Sequence, residues 1–315
     1  MMDPALFAQD IQAVPDGLDT LAAVLRDTDP WGDVATAPLL AGMGSSAYAA
    51  RTASGWLRAS GVGAVAELAT ADPGWAGGPG ESAVLVSASG GSAETLERMS
   101  RLSPGTERLA LVNTLDSALA QQADRVIDMV AGQEAGGVAC RSYRHTLALL
   151  LALGLDRKEV AEACHAAAGA TRDLLAHTGW LDAVDDILSP AEMTAWIAPE
   201  SRIGSALQSA LMIREVPRRI AVGCETGDWS HVDVYLTLTH EYGCVLFTGS
   251  RWDRQALDWI RERSSRLVSV GEPAGLPGEV HVPLGGDALT RMLTEPVVAE
   301  LLALRWWQRN PVEAG

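Results

Sequence analysis

The feature that most constrains this chain is a rhythm. Short apolar runs end in glycine- and serine-rich turns, and each turn opens a helical stretch. APLLAGMG (37–44) reads as a short buried strand running into a glycine turn, and SSAYAARTASGWLRAS follows as a helix. Strand-like runs recur at AVAELA (64–69), SAVLVSA (82–88), LALVN (109–113) and RVIDMV (125–130), with helical stretches at 92–102 and 115–123 between them. Strands that alternate with helices are joined by parallel crossovers, so the expected class is α/β with a doubly wound parallel sheet.

The rhythm runs twice. Residues 4–27 read as an amphipathic helix, and 139–178 as Ala/Leu-rich helix broken near LGLDRK. After Trp180 a strand at MTAWIA (193–198) leads to a helix at 203–216. Further strands are expected at VDVYLTLT (232–239), GCVLFTG (243–249) and RLVSVG (266–271), and a helix at about 289–308. A chain of 315 residues has the length of two domains. The expected division is an N-terminal helix over 1–35, a first domain over 36–178 and a second over 179–315, the halves reading as a diverged internal duplication.

Composition narrows the chemistry. Apolar residues make up 48% of the chain and charged residues 20%, which suits buried cores and excludes a disordered or low-complexity chain. No run reaches about 18 uninterrupted apolar residues, and MMDPALFAQDIQ lacks a basic region followed by an apolar one, so neither a membrane span nor a secretory signal is expected. The net charge of −16 repels phosphate backbones, so nucleic acid is a poor partner, and a small anion would need a local trap built against that field. Cys140, Cys164, Cys224 and Cys244 show no CxxC pairing, which points to free thiols in a reducing cytoplasm. Histidines and cysteines have no metal-like spacing, and no metal or other cofactor is expected. Lys158 is the one lysine, so only it could form a lysine Schiff base, and LDRKEVAEA reads as the exposed start of a helix.

Two turns could carry chemistry. In VLVSASGGSAETLE (84–97) a strand ends, Gly90 and Gly91 allow close backbone approach, and Ser87, Ser89 and Ser92 offer hydroxyls where a helix begins. Unpaired amides in the first turn of a helix suit an anion such as phosphate. An ordinary serine N-cap explains the same residues locally. LLAGMGSSAYAA (39–50) repeats the device with Gly42, Met43, Gly44, Ser45 and Ser46. In an open parallel sheet both turns fall at the carboxyl edge, where ligands bind. Neither is a Walker loop or a GxGxxG fingerprint.

This pair of turns resembles the SIS (sugar isomerase) domain, which binds phosphosugars. The likeness extends through AGQEAGGVACRSYRHTLALLLAL (131–153) and resumes at IGSALQSALMIREVPRRIAVGCETGDWSH (203–231), covering roughly residues 36–310. It is similar to the double-SIS isomerase part of glucosamine-6-phosphate synthase and to fructosamine-6-phosphate deglycases. The resemblance implies two flavodoxin-like SIS subdomains in tandem. It implies phosphate binding by Ser46, Ser87, Ser89 and Ser92, with Gly44, Gly90, Glu134 and Arg141 also at the substrate. Ala88 stands where the synthases usually have glutamine, and Ala139, Cys140 and Arg141 replace the Ser, Thr and Lys of the family's TEIGVAST stretch. Glu215 matches the glutamate that moves a proton between C1 and C2. His231 matches the ring-opening histidine, which in the family can come from a neighbouring subunit, so a homodimer with its active site near the subunit interface is expected. Met212 replaces a lysine, Val232-Asp233 replaces the usual Gly-Pro, and APESR (198–202) replaces a glycine-rich turn. RWWQRNPVEAG lacks the synthase tail lysine, and a glutaminase domain and its N-terminal cysteine are not expected.

The resemblance implies an aldose–ketose isomerase acting on a hexose phosphate or amino sugar phosphate. Such chemistry needs a base that takes a proton beside a carbonyl and returns it to the adjacent carbon, and one carboxylate in a partly dry pocket can do both. Glu215, near Leu211, Val216 and Ile220, fits that role through the resemblance; read locally, it is first a solvent-facing glutamate paired with Arg214 or Arg218. His231 could move a proton at the ring oxygen near neutral pH, or be an ordinary loop histidine. His145, in a helix, and His240, ending a strand, have weaker claims. Arg141 could neutralise phosphate or form a surface ion pair. Trp306-Trp307 either packs the final helix or walls a site. The rival functions are a deglycase or lyase that releases an amine from a phosphorylated amino sugar, and a non-catalytic phosphosugar-binding module.

Overall fold

Pro15 divides the long N-terminal amphipathic stretch. Lacking an N–H and clashing with the preceding turn, it is tolerated only near a helix start, so the chain forms α1 (Pro4–Gln12) and restarts as α2 (Val14–Asp27). The computed structural model describes residues 2–310. The chain continues through β1 (Leu39–Gly42), α3 (Ser45–Ala59), β2 (Val65–Leu68), β3 (Ser82–Val86), α4 (Ala93–Ser100), β4 (Glu107–Val112), α5 (Ala118–Gln122), β5 (Arg125–Asp128), α6 (Arg141–Leu151) and α7 (Arg157–Ala176). It then forms α8 (Gly179–Leu188), β6 (Met193–Ala198), α9 (Ile203–Glu215), β7 (Ile220–Glu225), α10 (Thr226–Trp229), β8 (Tyr242–Phe247), α11 (Asp253–Glu262), β9 (Arg266–Gly271), β10 (Val280–Pro283), α12 (Ala288–Thr294) and α13 (Pro296–Arg309).

Among the described residues the strands form two five-stranded sheets, paired throughout in parallel. The first has the order β2-β1-β3-β4-β5 and the second β7-β6-β8-β9-β10, so both repeat the flavodoxin-like 2-1-3-4-5 winding. The central strands β1, β3, β6 and β8 are buried along their whole length, as strands covered by helices on both faces must be. Leu39, Ala41, Leu85, Met99 and Val112 centre one core, and Ala195, Ile197, Cys244, Leu246 and Trp229 centre the other.

Two compact units hold these sheets, and neither is continuous in sequence. One comprises residues 16–134 and 139–165; the other comprises 1–15, 135–138 and 166–315. The N-terminal segment expected over 1–35 is therefore shared, with α1 in the second unit and α2 in the first. We refer to them as the first and second unit by their sheets.

Three readings of local structure change. VDVYLTLT (232–239) is not a strand: residues Asp233–Leu238 form a short 3-10 helix, and His240 follows it rather than ending a strand. Val232, Tyr235 and Leu238 recur every third residue, the 3-10 period, and stay 56%, 66% and 58% exposed, so no sheet face takes them up. The strand places go instead to β7 and β10, whose glycine and proline masked them in the sequence. The C-terminal helix breaks at Glu295-Pro296, where proline cannot donate to the preceding turn. No helix among the described residues is long and apolar enough to cross a membrane.

Candidate functional site

In the first unit the strand order reverses between β1 and β3, and ligands of open α/β sheets bind outside the carboxyl ends at that point. The two serine turns flank it. Gly42, the last residue of β1, is in register with Val86, the last of β3, so the Gly42–Ser46 and Ser87–Ser92 turns leave the sheet side by side. Their approach is close enough to require glycine. A side-chain carbon on Gly42 would lie 2.8 Å from Ser46 Cβ and 2.9 Å from the Val86 carbonyl oxygen. Gly44 takes φ 51° before α3 and has open space around it.

The second turn is equally determined. Gly90 has φ +62°, and a Cβ there would sit 1.9 Å from the Ser117 hydroxyl. Its N–H donates to the Ser87 carbonyl (2.9 Å), and its own carbonyl accepts from Leu119 N–H (3.0 Å), which ties the turn to α5. Ser87 is buried, Ser89 exposed and Ser92 intermediate. Ser92 is the N-cap of α4: its hydroxyl oxygen accepts from Thr95 N–H (3.4 Å). Ser89 Oγ accepts from Gly91 N–H (3.3 Å). Among the described residues the hydroxyls of Ser46 and Ser87 have no hydrogen-bond partner. Free hydroxyls beside helix N-termini are what an anion site on an otherwise acidic protein needs.

The remaining first-unit residues have structural duties. The Glu134 carboxylate accepts from the backbone N–H of Cys140 (2.7 Å), Arg141 (2.6 Å) and Ser142 (3.1 Å), and from the Ser142 hydroxyl. It therefore caps α6, whose N-cap residue Cys140 offers no side-chain cap. Arg141 donates to the Gln133 carbonyl, curling back over the 131–140 loop. Asn113, at the end of β4, braces that loop by donating to the Gly132 carbonyl (2.6 Å) and accepting from Ala131 N–H (3.1 Å). Asn113 was missed in the sequence; its place at the carboxyl end of a strand was the available signal. His145 is buried in α6 with Nδ1 2.8 Å from the Met129 carbonyl, and burial pushes its pKa down to about 4, so it is a neutral core residue.

Glu215 and His231 belong to the second unit. α9 runs back from the carboxyl end of β6 to the amino end of β7, so Glu215, its last residue, lies half-buried at the amino edge of the sheet. His231 follows β7 and α10, exposed at the carboxyl edge. The six residues of β7 separate these levels by roughly 20 Å at about 3.3 Å per residue. One chain therefore does not bring Glu215 and His231 together. Met212 is buried one turn before Glu215, and Ile220, expected to help cover Glu215, is itself exposed.

Other candidates drop out by packing. All four cysteines are free and buried; burial raises the Cys164 thiol to about 12 and also raises Cys224 and Cys244, so these three are not poised as nucleophiles. Trp306 donates to Asp185 (2.8 Å) beneath the Arg219 guanidinium, and Trp307 packs on Phe7, so the pair packs the final helix rather than walling a site. The end of the RWWQRNPVEAG run, 311–315, lies outside the described residues. Lys158 lines a cleft of about 540 Å³ with Arg26, Trp31, Pro38 and Val62. Pro38 and Val62 precede β1 and β2, so this cleft is at the amino edge of the first sheet, opposite the serine turns.

No protein-family model matches the chain. It is 24% identical over 237 residues to the glutamine–fructose-6-phosphate aminotransferase (isomerizing) of Zymomonas mobilis, a match covering 71% of this chain and 39% of that protein. It is 28% identical over 234 residues to the protein of the same name from Halobacterium salinarum, covering 69% and 39%. The chain thus spans about two fifths of the length of these relatives. The structure superposes on the C-terminal domain of glucosamine-fructose-6-phosphate aminotransferase from Francisella tularensis with a TM-score of 0.81, at 16% identity, over 95% of this chain and 94% of that one. The chain is thus similar in sequence to these aminotransferases over some 70% of its length, and it shares the fold of their C-terminal, isomerase part over nearly all of it.

Proposed function

We propose that the chain binds a phosphorylated sugar at the serine turns of the first unit and catalyses aldose–ketose isomerisation. The observation that carries this reading is the register of β1 with β3, which sets two glycine-shaped, hydroxyl-bearing turns next to each other at the switch point of the sheet. Ser46, Ser87 and Ser89, with the first amides of α3 and α4, supply the phosphate donors. Isomerisation needs a carboxylate that moves a proton from the carbon beside the substrate carbonyl to the neighbouring carbon through an enediol or enolamine, and Glu215 is the candidate that the resemblance supplies. The ring-opening proton is moved by the partner subunit's His231, a role supported by the distance between the two edges of the second sheet. The exposed Val232, Tyr235 and Leu238 give the homodimer an apolar surface beside that histidine.

A second reading, phosphosugar binding without reaction, is favoured by one observation: a buried thioether, Met212, stands one turn from Glu215. Solvent deuterium exchange separates the two. Hexose and amino sugar phosphates are incubated in D2O with wild type, Glu215→Gln and Ser89→Ala. Deuterium at the carbon next to the carbonyl, lost in Glu215→Gln, supports the isomerase. Saturable binding with no exchange supports the binding module, and release of free amine from a substituted fructosamine phosphate supports a deglycase.

A further inference from the structure

The serine turn of the first unit holds an anion of its own. Ser92 donates its hydroxyl proton to Glu94 Oε2 at 2.7 Å, and the Glu94 carboxylate also accepts from its own backbone N–H. Both donors lie in the first turn of α4, where the proposed phosphate would find its partners. No cation pairs with Glu94 among the described residues, and the side chain is exposed, so nothing but these two donors holds it on the turn. The amide first, and the Ser92 hydroxyl second, keep this carboxyl below the ordinary glutamate range, which shows that its charged form is the one the turn accommodates. The second unit offers a parallel. At its own switch point, Asp253 in the first turn of α11 accepts from the Gly249 N–H (2.6 Å) and Ser250 N–H (3.1 Å), filling the equivalent turn with a carboxylate.

We propose that Glu94 is a built-in competing anion: its carboxylate occupies Ser92 and the α4 amide in the free protein and is displaced when a phosphate group binds. This rests on the reading of the serine turns as the phosphate site. The exchange needs no bond chemistry. The Ser92 hydroxyl and the amide turn from carboxylate to phosphate oxygen, and the glutamate side chain moves into water. Two consequences follow for ligand choice. A bare phosphate ion, with few contacts beyond the donors it contests, is penalised most in relative terms, whereas a phosphosugar offsets the displacement through its sugar. The negative charge left beside the turn also lowers affinity for every dianion that does bind.

The test is calorimetric titration of inorganic phosphate and of fructose 6-phosphate into the full chain and its variants. Glu94→Gln keeps the side-chain volume and removes the charge. Glu97→Gln removes an equal charge from the same helix away from Ser92 and controls for bulk electrostatics. Glu94→Gln is expected to tighten both ligands about three- to tenfold, the worth of one contested hydrogen bond, with inorganic phosphate gaining at least as much as the ester. Glu97→Gln is expected to shift them less than twofold by screening. Equal or weaker binding by Glu94→Gln, with Ser89→Ala still weakening the wild type, overturns the role of Glu94 and leaves the site intact. Equal tightening by Glu97→Gln also overturns it. Absence of binding to wild type and every variant overturns the phosphate site itself, and the competing anion with it.

Discussion

The two sheets share one winding order, but their switch points have been put to opposite uses. At β1/β3 the turns end in hydroxyls, and Ser46 and Ser87 are free among the described residues. At β6/β8 the protein fills the same place with itself. Arg202 and Arg291 both donate to the Thr248 carbonyl (2.7 and 3.1 Å), Asp253 takes the turn amides, and Arg202 Nε pairs with Glu295 at 3.0 Å. Arg202 and Glu295 are buried, and burial raises the Glu295 carboxyl. The same backbone can therefore present an anion site or close it, and the difference lies in whether side chains supply donors or neutralise them. The serines cost the first unit little packing, while the arginines bind the second unit's loops to the start of α13.

Breaking the closed switch point should have the largest effect. Arg202→Ala leaves the buried Glu295 without its ion-pair partner, which costs about 3–5 kcal/mol. Urea denaturation measures it. Replacing both partners with apolar residues, Arg202→Met with Glu295→Leu, should recover most of the loss because neither charge is then stranded. A loss under about 1 kcal/mol in the single variant would mean that Glu295 reaches water and that this edge is not sealed. If these variants keep wild-type phosphosugar affinity, the second switch point is structural and the first alone binds.

Acid separates the units next. Burial depresses the pKa of His145 to about 4, against about 6.5 for an exposed imidazole, so its contribution to stability is complete above pH 6.5 and is lost as pH falls toward 4. Glu295 and Asp253 carry the opposite sign. Burial raises both, so their contributions are complete at acid pH and are lost as pH rises through the raised values. The stability advantage of wild type over His145→Gln should shrink by about 3 kcal/mol between pH 6.5 and 4. A pH-independent difference would show that the imidazole is not held neutral by the core.

What the sequence made legible follows from where its signals are local. Strands β1, β3, β6 and β8 are continuous apolar runs because both faces are covered, and they were readable. The serine turns were readable as turns because glycine and serine cluster where an apolar run stops and a helix opens. The edge strands β7 and β10 were not, since half-exposed edges carry mixed residues such as Gly223 and Pro283. The sequence at 232–239 suits a strand as well as a 3-10 helix, because Val232, Val234, Leu236 and Leu238 recur every second residue while Val232, Tyr235 and Leu238 recur every third. Glu134 illustrates a different limit. Its likeness to a substrate-binding position was visible, whereas its bonds to three amides six to eight residues away depend on the fold of the 131–140 loop. The gap between Glu215 and His231 was also hidden, because only the direction of α9 reveals it.

Gly90→Ala tests whether the open switch point depends on its backbone. Alanine at φ +62° costs about 1–3 kcal/mol, and its Cβ cannot coexist with the Ser117 hydroxyl, so the turn must move. Phosphosugar binding should fall below detection while the protein remains folded by circular dichroism. Pairing the substitution with Ser117→Gly removes the clash but not the positive φ, and should restore part of the stability. Retained affinity in Gly90→Ala would mean that the Ser87–Ser92 turn does not hold the ligand.

The smallest effect is the most discriminating, because it compares one atom at equivalent places. Ser89→Ala removes a hydroxyl from the exposed crest of the open turn, where its structural bond to Gly91 N–H is long at 3.3 Å. If that hydroxyl meets a phosphate oxygen, its loss weakens phosphosugar binding about 10- to 100-fold, the range for a hydrogen bond to a charged group, with less than about 0.5 kcal/mol lost in stability. Ser250→Ala deletes a hydroxyl from the closed turn, where it accepts from Trp252 N–H at 3.1 Å and the neighbouring amides already serve Asp253. That variant should leave affinity unchanged. Equal losses from both would mean that the two switch points act alike, and the contrast drawn from Asp253 and the buried arginines would fail. A loss from Ser89→Ala alone assigns phosphate recognition to the first unit, whose turn is held only by the exposed Glu94 carboxylate rather than by buried arginines.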